Sequence, residues 1–156
     1  MASKKSVHGV VAALVASAGL AAPAAAQVIE WDNAGGGQWT VATNWNPMVV
    51  PGFGDTASIA LAGTYDVLLS SSVSINSLLL SNPNATIGLN SSRDLSLAGS
   101  ASTINGTLIL NNTGGVSASR LVLGNPSMVL NGSGQIILID SSASAVGRAQ
   151  IINAVG

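Results

Sequence analysis

The chain has 156 residues, 47% hydrophobic and only 7% charged, with no cysteine and a formal net charge of −1. Its two lysines, Lys4 and Lys5, and its one histidine, His8, all lie near the N-terminus, so nothing after residue 8 supplies an amine, imidazole or thiol side chain. That body excludes Ser-His-Asp and Cys-His sites, His-ligated zinc, Schiff bases and the lysine-bearing phosphate loop. Without clustered Lys or Arg it also excludes nucleic acid and anionic membrane surfaces as partners.

Residues 1–26 read as a signal peptide. Lys4 and Lys5 give a positive start, Gly9 to Ala22 is an uncharged apolar run, and Ala24-Ala25-Ala26 places small residues before Gln27. This predicts cleavage between Ala26 and Gln27, Sec-type export, and a secreted or cell-surface location. The apolar run is too short for a stable membrane span. A packed N-terminal helix is disfavoured, because an Ala/Val/Leu/Gly helix has no polar face for water. The body from Gln27 holds Arg93, Arg120 and Arg148 against Glu30, Asp32, Asp55, Asp66, Asp94 and Asp140, and 3 − 6 gives −3. Without disulfides its stability must come from packing and backbone pairing.

Residues 27–64 form a Trp-rich region holding Trp31, Trp39, Trp45 and the only Phe, with breakers at Pro47 and Pro51-Gly52. Short strands are expected at 38–41 and 56–61. Gly35-Gly36-Gly37 has no helix after it and reads as a turn, not a phosphate cradle. The three Trp residues allow two readings. They could offer a platform for a sugar's apolar face. The favoured reading is a lid on the first rung of a stacked fold.

Residues 65–156 show aliphatic bursts bounded by Ser, Asn, Gly or Pro: 67–69, 78–80, 95–97, 108–110, 121–123, 128–130 and 136–139. These are too short and too interrupted for helices. Arg93, Arg120 and Arg148 each open a similar segment, at steps of 27 and 28 (120 − 93 and 148 − 120). A competing register near 20 residues runs through Leu89, Leu110 and Leu130. Three bursts per unit fit one turn of a β-helix, with rungs sharing a central aliphatic column. Asn and Ser at the corners suit left-handed backbone and rung-to-rung hydrogen bonds. The fold expected is therefore all-β: a right-handed, single-stranded parallel β-helix (solenoid) with a Trp-rich N-terminal cap. A β-sandwich is the alternative, since short strands and turns suit both. The arginines could form a ladder along one edge, but stacked like charges would repel without acidic neighbours such as Asp94.

Scattered carboxylates (Glu30/Asp32, Asp55, Asp66, Asp94, Asp140) are the only acid/base option. No convergent partner accompanies them, so no enzyme, cofactor or metal is expected. N-x-S/T sites at Asn84, Asn90, Asn105, Asn111 and Asn131 follow from an Asn/Ser/Thr-rich composition.

Trp39, Asn44-Trp45, Pro47, Pro51, Asp55 and Ile59, followed by the Leu-rich Asn/Gly/Ser ladder from Leu78, resemble the start of bacterial secreted β-helix surface proteins. These are the autotransporter-passenger type with autotransporter-associated β-strand repeats, and exported proteins with a PEP-CTERM sorting tail. The resemblance implies a non-enzymatic structural or adhesive stalk. The chain stops at Ile151-Ile152-Asn153-Ala154-Val155-Gly156 in mid-repeat, so an N-terminal fragment is expected. The partners implied are extracellular polysaccharide or another cell surface. Membrane attachment would come only through a C-terminal anchor, and the open solenoid end would self-associate. The alternatives are a carbohydrate-binding module using Trp31, Trp39 and Trp45, and more remotely a piece of a β-helix polysaccharide lyase or hydrolase.

Overall fold

The computed structural model describes residues 26–140 and 149–154. Residues 1–25 of the export signal read at 1–26, and Arg148, lie outside the described residues. Among the described residues, apart from a 3-10 turn at Ala42–Asn44, the regular structure is short strand.

Three strands open the chain: β1 (Val28–Trp31), β2 (Gly37–Gln38) and β3 (Trp45–Asn46). The next two triplets are β4 (Thr56–Ile59), β5 (Tyr65–Leu69), β6 (Val73–Ile75) and β7 (Ser77–Leu80), β8 (Ala85–Leu89), β9 (Asp94–Leu97). Two more follow: β10 (Ala101–Ile104), β11 (Thr107–Leu110), β12 (Ser119–Leu123) and β13 (Val129–Asn131), β14 (Gln135–Leu138), β15 (Ala149–Asn153). They build three sheets, ordered β13-β10-β7-β4-β1-β3, β14-β11-β8-β5-β2 and β15-β12-β9-β6. From β4 on, each strand pairs with the strand three places away, always in parallel. That order is consistent with a β-solenoid and does not match an antiparallel sandwich. The exception is β3, which folds back antiparallel on β1.

The expected strand at 38–41 is shorter than predicted. β2 ends at Gln38, and Val41 leads into the 3-10 turn. The reason is a tight turn: after the backbone N–H of Trp39 completes the ladder to Leu68 O at 2.9 Å, the Val41 N–H donates back to Gln38 O at 3.3 Å and ends the extended run. Strands β6, β8 and β10 fall outside the seven bursts, because Ser, Thr and Gly interrupt their aliphatic pattern (V-S-I, A-T-I-G-L and A-S-T-I).

Both candidate periods are real, in different parts of the stack. Tyr65 opposes Ala85 (85 − 65 = 20) and Leu89 opposes Leu110 (110 − 89 = 21). Later, Asp94 opposes Arg120 (120 − 94 = 26) and Leu110 opposes Leu138 (138 − 110 = 28). The strands keep their length while the corners grow. Residues 90–93 link β8 to β9, whereas 111–118 link β11 to β12. Leu130 does not continue the Leu89–Leu110 line, since it pairs with Ser102 on another sheet.

The arginine ladder does not form between Arg93 and Arg120. Arg120 stands opposite Asp94 on one side and Gln150 on the other. Its Nε lies 3.3 Å from Asp94 Oδ1, a charge contact without hydrogen-bond geometry. Opposite charges in register are favourable where stacked arginines would repel.

Alternation within each strand sends every second residue inward. The inward residues line up as Ile29–Ala57–Leu78, Val67–Ile87–Leu108, Leu69–Leu89–Leu110 and Leu95–Leu121, all buried. Each buried aliphatic side chain contributes roughly 1.5–3 kcal/mol. Where polarity enters the interior it is satisfied. Ser102 takes an inward place and its hydroxyl accepts the Leu78 N–H at 3.0 Å. At the corners, Asn82 Nδ2 donates to Leu61 O and Gly63 O at 2.7 and 2.8 Å. Asn111 adopts φ 62° and its Nδ2 donates to Gly115 O and Ile139 O at 3.0 and 3.1 Å. Ser119 Oγ donates to Asn90 O one rung away at 2.7 Å.

Candidate functional site

The aromatic residues gather at the β1–β3 end of the stack. Pairing of β3 with β1 sets Trp45 opposite Trp31, and the turn after β2 brings in Trp39. Trp45 meets Trp31 edge-on with centroids 5.0 Å apart, and Trp39 with centroids 4.7 Å apart. Trp31 stacks on Tyr65 at 6.4 Å. Such arrangements contribute beyond buried area alone. The indole N–H of Trp45 donates to Trp39 O and that of Trp31 to Asn33 O, both at 2.7 Å. The Trp39 indole N–H is buried without a hydrogen-bond partner among the described residues, a local cost carried by the surrounding packing.

An asparagine network fixes the backbone around the rings. Asn33 Nδ2 donates to Gly36 O at 2.6 Å and to Asn44 Oδ1 at 2.9 Å, and Asn44 Nδ2 donates to Gln38 O at 2.9 Å. The glycine run is thus a fixed turn. Gly36 has φ +74°, and a Cβ there would stand 2.5 Å from Asp66 O. The Tyr65 hydroxyl donates to Leu61 O at 2.9 Å. Burial pushes its phenol above the usual value of 10.0, and a hydrogen bond with Asn82 offsets part of that rise.

Trp31, Trp39 and Trp45 are 2%, 0% and 1% exposed. A ring face inside the stack cannot meet a sugar, so the platform that the carbohydrate-binding alternative needs is missing at these residues. The exposed large apolar residues of this end are instead Val28, Val41, Met48, Val49 and Phe53.

The carboxylates are brought together only in part. Glu30 in β1 and Asp32 just after it line an open depression of about 250 Å³ with Trp31, Asn46, Ala60 and Leu61. Its lining offers two carboxylates and one amide as polar groups. Asp55 sits apart, accepting Gly52 N–H at 2.9 Å and Gln27 N–H at 3.3 Å. Asp94 faces Arg120, and Asp66 lies on the outer face of β5. Among the described residues no three His, Cys, Asp or Glu side chains stand close enough to hold a metal ion. No helix among them is long and apolar enough to cross a membrane.

Ala26 and Gln27 are exposed at the start of β1. Of the glycosylation-type asparagines, Asn111 is fully buried and is withdrawn from that reading by its own hydrogen bonds. Sequence reasoning missed Asn33, Asn82 and Tyr65, whose roles rest on contacts 11 to 21 residues away or across a rung. The Asn44-Trp45 pair was the one visible trace of this network. Comparison with known proteins gave no match among family models, curated proteins or solved structures.

Proposed function

We propose that this chain is a non-enzymatic structural or adhesive protein of the cell exterior, the N-terminal part of a repeat stalk. In this reading residues 1–26 direct export and are removed, the Trp-rich region closes one end, and the parallel rungs wind as a right-handed β-helix. The carrying observation is the threefold rotation of parallel strands through three sheets, an architecture that gains length by adding rungs. Right-handed winding follows the general rule for crossovers between parallel strands. The lid role draws support from the burial of Trp31, Trp39 and Trp45 where β3 folds back on β1. The leader pattern and the resemblance to autotransporter-type and PEP-CTERM-type proteins support export and surface display. The partner class is extracellular polysaccharide or another cell surface, met by the outer faces of the rungs. Self-association would use the half-exposed inward columns of β14 and β15, at Leu138 and Ile151.

The test is to express the full chain with a C-terminal epitope in a Gram-negative host, fractionate the cells and probe intact cells with antibody and protease. Epitope outside the cytoplasm, on a product shortened at its N-terminus, is expected. Full-length product retained in the cytoplasm would overturn export and the stalk role together.

A further inference from the structure

The first strand begins two residues after Ala26, and Gln27 is already tied into the second rung. Its carbonyl accepts the Thr56 N–H at 2.7 Å, while its N–H donates to Asp55 Oδ1 at 3.3 Å. The receiving carboxylate is held from two directions. Oδ2 accepts the Gly52 N–H at 2.9 Å, and the Asp55 backbone carbonyl accepts the Asn76 N–H at 2.8 Å. An amide N–H uses little of a carboxylate's charge, whereas an ammonium at the same point would use it fully.

We propose that hydrolysis of the Ala26–Gln27 bond creates an N-terminal ammonium that docks on Asp55, a clamp formed only in the processed chain. The inference rests on the processing reading above and adds its structural consequence. Water supplies the co-reactant and an export peptidase the catalysis. The peptide C–N bond breaks, Ala26 keeps the new carboxylate, and the Gln27 amine takes up a proton at neutral pH. Asp55 then holds that proton in place. A protonated amine cannot attack its own side-chain amide, so the clamp also slows cyclisation of Gln27 with loss of ammonia. Because Gln27 opens the ladder to β4, the charge pair fastens the first rung at the position where the newly cut chain would otherwise fray.

The composition gives this amine a clean readout. Both lysines lie upstream of the junction, so Gln27 would carry the sole primary amine of the processed chain. The product exported by cells expressing the full chain is purified, weighed by mass spectrometry and treated with an amine-reactive ester near neutral pH. The expected mass begins at Gln27 with its ammonia retained. Folded wild-type protein should label about two- to six-fold more slowly than folded Asp55→Asn, as a neighbouring carboxylate holds the amine protonated. In denaturant the two should label alike. If Asp55→Asn does not fold, a chain begun at Ala26 moves the amine off the carboxylate and should label at the faster rate. A mass starting at another residue overturns the processing site itself. Equal labelling of folded wild type and variant overturns the clamp while leaving processing intact, and so does a mass short by one ammonia.

Discussion

Trp45 touches both other indoles and bonds its own N–H to Trp39 O, so its ring links two aromatic pairs and one turn. Replacing it with Ala should cost about 3–5 kcal/mol by leaving a cavity and two unsupported rings. Urea unfolding followed by circular dichroism measures this, and a loss under about 1 kcal/mol would contradict the lid. Phe53→Ala, at an exposed loop position, should stay within roughly 0.5 kcal/mol of wild type in the same assay. Tyr65 adds a pH dependence. Its folded phenol titrates above the unfolded value of 10.0, so the neutral form is favoured by folding. That stability is fully present below about pH 10 and is lost as pH rises through the folded value. Tyr65→Phe should therefore flatten the alkaline limb of the stability curve while losing the bond to Leu61 O. At this scale the sequence pointed to the three indoles as a group, because bulky rings are rare in this chain. It could not show which way they face, since that depends on β3 turning back over β1.

Strand positions were the most legible feature. The bursts at 67–69, 78–80, 95–97, 108–110 and 121–123 fall within β5, β7, β9, β11 and β12. Short aliphatic runs bounded by Ser, Asn or Gly leave little else for such segments to do. The register was less legible, because corners change length while strands do not. The Arg93–Arg120 spacing looked like a repeat, yet pairing moved Arg120 one place to Asp94, where opposite charges meet. The corner glycines mark these turns from another side. A Cβ on Gly106 would stand 2.6 Å from the Asn82 carbonyl and 3.1 Å from Leu80 Cγ. Gly106→Ala should destabilise by about 1–3 kcal/mol, since the corner between β10 and β11 must shift against a neighbouring rung. Gly114→Ala has space around it but a positive φ of 61°, so its cost should be smaller and purely conformational, about 1 kcal/mol. Comparing the two urea midpoints separates crowding from backbone strain. Equal losses would mean that the rungs are not packed as closely as the corner distances require.

Over the whole molecule, each rung is stabilised by the one before it and the one after it. At the β1–β3 end Trp31, Trp39 and Trp45 are buried, whereas at β14 and β15 the inward columns run out into half-exposed Leu138 and Ile151. In a stack with nearest-neighbour coupling, the unit with one neighbour opens at lower free energy than units with two. Hydrogen exchange should therefore grade along the axis. Amides of β7 and β8, with parallel neighbours on both sides and fully buried inward side chains, should exchange slowest. Amides of β13, β14 and β15 should exchange fastest among the strands, and β1 should sit nearer the middle of the stack than its terminal place suggests, because β3 pairs with it and Trp45 packs against its Trp31. Mass-resolved exchange on peptides spanning 77–89 and 129–138 compares the two directly. Uniform protection would mean that the body opens as one cooperative unit and that the rungs are not independent steps. Fastest exchange at β1 would instead place the weak end at the indoles. If the gradient runs as expected, a partner strand or a further rung laid on β13–β15 should raise protection there first and leave β7 and β8 unchanged.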